Sequence, residues 1–234
     1  VQLFKGRAGQ ETTQIPYSLL RGILSSSFEI QENDRAAVAR QKLEQGILKY
    51  TSNLESATLY SHFIGHLIGL DYSSSPYLKG ILSDARQVRD LAFHYATQFF
   101  GDVTRKNTAV IFLEDIHWAD TGSLDFFEYL MNKRPDLPLL IIGLTRSTLF
   151  EQRQDWGTSP IQNLSLNLLP LSEADTRRLI AEILQKVPEV PEAVMDLIVK
   201  KAEGSPFYVE ELIKVLIEGG VIIRGTEQWS VELD

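Results

Sequence analysis

One stretch limits what this chain can become more than any other: Thr108-Ala109-Val110-Ile111-Phe112-Leu113-Glu114-Asp115-Ile116-His117-Trp118-Ala119-Asp120. Five apolar residues, Ala109 to Leu113, run without a break and stop on two adjacent carboxylates. So short an apolar run, rich in β-branched and aromatic residues, predicts a strand buried on both faces. In open parallel sheets, ligands bind just beyond the carboxyl ends of such strands, where Glu114 and Asp115 stand. Capping of the next helix does not require these two acids. Asp120 already suits that task, ahead of Thr121-Gly122-Ser123 and an apolar helical pattern.

Acids in this position suit magnesium–nucleotide chemistry. Magnesium keeps several of its waters and needs only one or two protein carboxylates beside the substrate phosphates. A neighbouring carboxylate can then orient or deprotonate an attacking water. Composition narrows the alternatives. The 234 residues are 44% hydrophobic and 23% charged, ordinary for a soluble globular protein with chain enough for one large or two small domains. A net charge of −8 argues against nonspecific nucleic-acid binding by this stretch. With no cysteine there are no disulfides and no thiolate metal sites, which fits a reducing cytoplasm. No apolar run approaches the ~20 residues that span a bilayer. The start, Val1-Gln2-Leu3-Phe4-Lys5, has neither Met nor a long apolar segment, so the chain is expected to be cut from a longer one.

Taken in order, Gln2 to Ala8 predicts a strand, and Pro16-Tyr17-Ser18-Leu19-Leu20 opens a helix. Arg7 receives no chemical role. Asp34 to Tyr50 predicts an amphipathic helix on Ala37, Val38, Leu43, Ile47 and Leu48, and Glu55 to Leu70 another on Leu59, Phe63, Ile64, Leu67 and Ile68. His62 and His66 stand one turn apart, but no third ligand accompanies them and they are assigned to structure. Asp84 to Phe100 predicts a helix that delivers the chain through Gly101 and a polar loop, Thr104 to Asn107, to the central strand. A helix over 123–132 and a strand at Leu139 to Leu144 follow. Strand, helix, strand at this spacing is a right-handed parallel crossover, so Thr145 and Arg146 are expected on the same sheet edge as Glu114 and Asp115. Gln162 to Leu168 alternates polar and apolar residues and predicts a further strand. Ser172 suits the cap of a helix from Glu173, Pro191 opens the next, and Gly204-Ser205-Pro206 precedes a third. Val221 to Ile223 and Gln228 to Val231 read as a hairpin.

Leu113-Glu114-Asp115-Ile116-His117-Trp118-Ala119-Asp120 closely resembles the Walker B segment of signalling ATPases of the STAND/AAA type. Such modules follow cyclase domains or precede helix-turn-helix regions in large bacterial regulators. Two further stretches are similar to that family: the Gly6-Arg7 strand with its Pro16-Tyr17 helix, and Gly204-Ser205-Pro206-Phe207-Tyr208-Val209-Glu210-Glu211-Leu212. The resemblance implies an α/β fold with a P-loop NTPase-like parallel sheet and flanking helices over 1–170, its first strand missing. A helical lid over 171–218 and the start of a winged-helix hairpin over 219–234 would follow. It implies a switch driven by ATP and magnesium. Glu114 would stand on the metal side and Asp115 would orient the water, both able to ligate magnesium. Thr145 and Arg146 would read the terminal phosphate, and Pro206 would pack near adenine. Arg146 has an alternative role as counter-ion to the two acids. Attached regulatory or output domains are the implied partners.

The phosphate-binding loop itself is missing. Gly-x-x-x-x-Gly-Lys-Ser/Thr grips phosphates with backbone amides and a lysine, and no Gly-Lys pair occurs anywhere in the sequence. The resemblance places that loop upstream of Val1. These residues alone are therefore expected not to bind ATP and to have a tendency to self-associate. A non-catalytic NTPase-fold scaffold is the alternative function.

Overall fold

The computed structural model describes residues 1–157 and 163–232 of an α/β protein. They form two compact units, divided between Asn163 and Leu164. In the first unit the order is β1 (Gln2–Arg7), α1 (Ser18–Ser27), α2 (Ala36–Leu48), α3 (Leu54–Leu67), α4 (Ala85–Lys106), β2 (Ala109–Glu114), α5 (Thr121–Lys133), β3 (Leu139–Gly143) and α6 (Thr148–Gln152). The three strands make one parallel sheet in the order β1-β2-β3, with the acid-ended strand in the centre. Register fixes the faces: Phe4 pairs with Ile111 and Ile111 with Ile141, while Lys5 pairs with Phe112 and Phe112 with Ile142.

The two faces of this sheet are unequal. Phe4, Ala109, Ile111 and Leu113 are wholly buried under the helices, in a core with Phe99, Phe100, Phe126 and Phe127. The opposite face carries Leu3 (57% exposed), Leu140 (54%) and Ile142 (37%), with Val110 and Phe112 half-buried between them. β2 is thus buried on one face and half-covered on the other, not buried on both as its unbroken apolar run predicts. A parallel sheet is ordinarily covered on both faces, which is why its strands read as continuous apolar runs. The edges differ as well: β1 presents Lys5 and Arg7, whereas β3 runs Leu139-Leu140-Ile141-Ile142-Gly143 without a charge.

Asp120 ties the helices to the strand ends. Its carboxylate accepts from Ser123 N (2.9 Å) and Ser123 Oγ (2.7 Å) at the start of α5. It also accepts from Tyr17 N (2.7 Å), Ser18 Oγ (3.1 Å) and Leu19 N (3.3 Å) at the start of α1. Tyr17 reaches that carboxylate in a left-handed conformation (φ 58). One carboxylate, 3% exposed, therefore caps two helices.

Three expectations are corrected. α4 runs through Gly101 to Lys106, where a loop was expected. The Oγ of Thr104 bonds back to the carbonyls of Phe100 and Gly101, and the helix continues across the glycine. Ala37, Val38 and Leu48 lie on the exposed side of α2, which buries Leu43 and Ile47 as expected and Ala39 with them. Residues 163–168 form no strand, and Leu164, Leu166 and Leu168 are all more than 70% exposed. Gln162 lies outside the described residues. Alternation alone makes no strand without a neighbour to bond to.

The second unit holds α7 (Glu173–Ile183), α8 (Glu192–Ala202), α9 (Pro206–Glu218) and the antiparallel hairpin β4 (Ile222–Ile223) and β5 (Ser230–Val231) around its own core of Ile180, Ile198, Val209 and Ile213. Ser172 caps α7 through Asp175 N (3.1 Å). Gly204 is left-handed (φ +77), and a Cβ there would stand 2.5 Å from the Leu171 carbonyl, so only glycine fits this corner. Among the described residues no helix is long and apolar enough to cross a membrane.

Asp120→Ala is expected to lower the unfolding free energy by about 3 kcal/mol or more in urea denaturation, because several charge-assisted hydrogen bonds, each contributing roughly 1.5–3 kcal/mol, go together. A loss below about 1 kcal/mol would mean that water satisfies the freed amides.

Candidate functional site

The site is built at the carboxyl ends of the parallel strands. β2 delivers Glu114 as its last residue, and the chain then leaves the sheet at Asp115, whose backbone is left-handed (φ 55). A turn of 3-10 helix, Ile116–Trp118, carries it to Asp120. β3 ends one strand over. Leu144 N donates to the Leu113 carbonyl at 2.8 Å and Ile116 N to the Leu144 carbonyl at 3.0 Å. The expected convergence follows: Thr145 and Arg146 emerge beside the acid pair at one sheet edge.

The counter-ions come from the other side. Lys5 Nζ lies 3.2 Å from Glu114 Oε1, and Arg7 Nε donates to Asp115 Oδ2 at 2.9 Å. Both cations belong to β1, two residues apart, and the period of two puts them on the same open face as Glu114. Arg146 is exposed and makes no ion pair among the described residues, so it is not the counter-ion here. The Oγ1 of Thr145 donates to the carbonyl of Arg146 at 3.0 Å. Sequence reasoning missed Lys5 and Arg7 as partners of the acids. Their spacing on a strand was visible, but the register that sets them beside β2 was not.

These residues match the metal-and-water side of a magnesium–nucleotide site. The two carboxylates supply hard oxygen donors where the strand ends, and the Arg7 side chain that pairs with Asp115 is 73% exposed. The phosphate side is not matched, since the chain has no Gly-Lys pair and hence no loop of the required kind. Pro206, assigned by resemblance to the adenine, opens α9 in the second unit, after Ser205. Among the described residues no three His, Asp or Glu side chains form a metal cluster.

Two histidines deserve placing. His62 Nδ1 and Ser75 Oγ are 2.6 Å apart, and the ring packs against Tyr72 and Tyr77, as a structural histidine should. His117, inside the acid-bearing turn, is 8% exposed, and neither ring nitrogen has a hydrogen-bond partner among the described residues.

No family model matches the chain, and no curated protein or solved structure matches it.

Two outcomes test this description. Asp115→Gly should leave the chain as stable as it is or stabilise it by up to about 1 kcal/mol, because glycine adopts the left-handed conformation without a Cβ clash. A clear loss in chemical unfolding would show that the Arg7 pair holds the fold. Burial, with Arg40 nearby, holds the His62 imidazole below its ordinary range, and Glu44 only partly opposes this. The unfolded chain therefore binds the proton more readily, so stability is full above about pH 6.5 and declines as the pH falls below it. His62→Phe, which keeps the ring packing, should flatten that decline in thermal melts between pH 7 and pH 5, a range chosen around the ordinary histidine value.

Proposed function

We propose that this chain is part of a STAND-type signalling ATPase, in which binding and hydrolysis of ATP switch an attached regulatory or output domain. The observation that carries the proposal is the acid pair at the carboxyl end of the central parallel strand, flanked by Thr145 and Arg146 from the next strand. In this role Glu114 holds the metal ion, and Asp115 orients the attacking water and takes its proton. Arg146, uncommitted to either acid, is available to a phosphate oxygen. Bound magnesium supplies charge neutralisation at the phosphates. The phosphate-gripping loop is supplied by residues of the parent protein other than these. The open apolar face and the uncharged β3 edge support this, since both are surfaces that further elements of a doubly wound sheet would cover.

A scaffold without catalysis is the second reading, and one observation favours it: Glu114 and Asp115 both have counter-ions within the fold. Arg7→Gln separates the two. If the pair holds Asp115 in reserve for chemistry, its loss changes hydrolysis. If the pair only stabilises a surface, nothing but a small stability change follows.

The deciding experiment uses the parent protein. Asp115→Asn should retain ATP binding and slow hydrolysis by roughly 10²-fold or more, the usual contribution of a positioned base. Hydrolysis at the parental rate would remove Asp115 from the catalytic role, and an absence of ATP binding in the parent would leave the scaffold.

A further inference from the structure

We propose that the cavity beside the Arg7–Asp115 pair is a binding site for a small zwitterion of amino-acid or short-peptide size. The cavity, of about 800 Å³, lies between the loop that follows β1, the flank of α1, the loop after α1, and the acid-bearing turn. That volume falls within the usual range for small-molecule sites. Its position is not the one assigned above to nucleotide phosphates, which would lie on the Thr145–Arg146 side of Asp115.

Exposed charges along its lining are unpaired. Arg21, Glu11 and Glu32 line the cavity, and none makes an ion pair with any described residue. Arg7 also lines it and is bound to Asp115 by one exposed contact. Two carboxylates and one guanidinium on the lining of one cavity suit a ligand bearing both a cationic and an anionic group, and suit a simple anion poorly. The ammonium end meets Glu11 and Glu32, and the carboxylate end meets Arg21. Trp118 also lines the cavity and supplies an aromatic ring for the aliphatic or cationic part between them.

Gly22 is the independent observation. It lies within α1, where glycine weakens a helix relative to alanine. Nothing in the fold requires it, because a Cβ at this position would meet no atom within 4 Å. The same glycine lines the cavity. Bareness here leaves room for a ligand to approach the helix backbone. An occupant whose carboxylate reaches Arg7 competes with Asp115 for the guanidinium, so the cavity and the acid pair share one cation.

The test needs only the 234-residue chain. L-arginine, L-glutamate and trialanine are titrated by calorimetry, each beside its N-acetylated, C-amidated counterpart. At least one zwitterion should bind saturably, with the capped form about tenfold weaker or worse, as expected for the loss of charge-assisted contacts. Gly22→Leu, which fills the cavity with a good helix former, and Arg21→Gln should each weaken binding about tenfold. Circular dichroism should report an unchanged fold for both variants. The proposal is overturned if no zwitterion binds, if capped forms bind equally well, or if Gly22→Leu binds like the parent chain. None of these results depends on ATP hydrolysis, so the site and the ATPase proposal fail separately.

Discussion

A single buried carboxylate holds the working end of this protein together. Asp120 accepts hydrogen bonds from the starts of two helices that lie about a hundred residues apart in sequence. Ser123 extends the connection, since its Oγ also accepts from Leu20 N at 3.1 Å. The loop from β2 to α5 and the loop from β1 to α1 are thereby fixed to each other. Asp115 and Trp118 lie on the first of those loops, Gly9 to Thr12 on the second, and all of them line the large cavity beside the flank of α1. An amide buried without a partner costs more than an ordinary hydrogen bond contributes, so the arrangement resists piecemeal loss.

The rest of the site follows from the inequality of the sheet's faces. Helices pack on the face that carries Phe4, Ile111 and Ile141, and the other is left to Leu3, Lys5, Arg7, Phe112 and Glu114. A charged network at the strand ends is tolerable only because that face meets water. Lys5 illustrates the compromise. Its ammonium lies 5.7 Å from the centre of the Phe112 ring and 3.2 Å from Glu114, so one side chain serves an apolar and an acidic neighbour together. Exposed ion pairs of this kind contribute little to stability, and they can be exchanged for ligand contacts at small cost.

Much of this was legible in the sequence, and the reasons divide cleanly. The central strand, its crossover to β3 and the Asp120 cap are written in local pattern: an apolar run, two acids, a capping residue and a helical repeat. The hairpin at Ile222, the cap at Ser172 and the helix start at Pro191 are local in the same way. What failed to show depends on neighbours. Register alone brings Lys5 and Arg7 to Glu114 and Asp115, and no periodicity within β1 names its partner strand. Gly101 looked like a helix end because a glycine usually is one, until Thr104 carries the helix past it. The leucines at 164, 166 and 168 have a strand's rhythm without a strand's hydrogen bonds. The cavity was invisible altogether, because no local pattern brings Glu11, Arg21 and Glu32 together, and Gly22 is a single small residue within a helix.

The contrast between the two sheet edges also gives the sheet a direction. β1 ends it with Lys5 and Arg7, cations that discourage a further strand, while β3 ends it with an uncharged apolar ribbon. Growth of the sheet is therefore one-sided. Two chains that met along their β3 ribbons would leave only charged rims facing outward, and the assembly would close at a pair. A strand contributed by the same polypeptide would occupy that ribbon first and end the matter. Sheet-mediated contact between copies is thus steered to β3, while the cations of β1 discourage growth from the other edge.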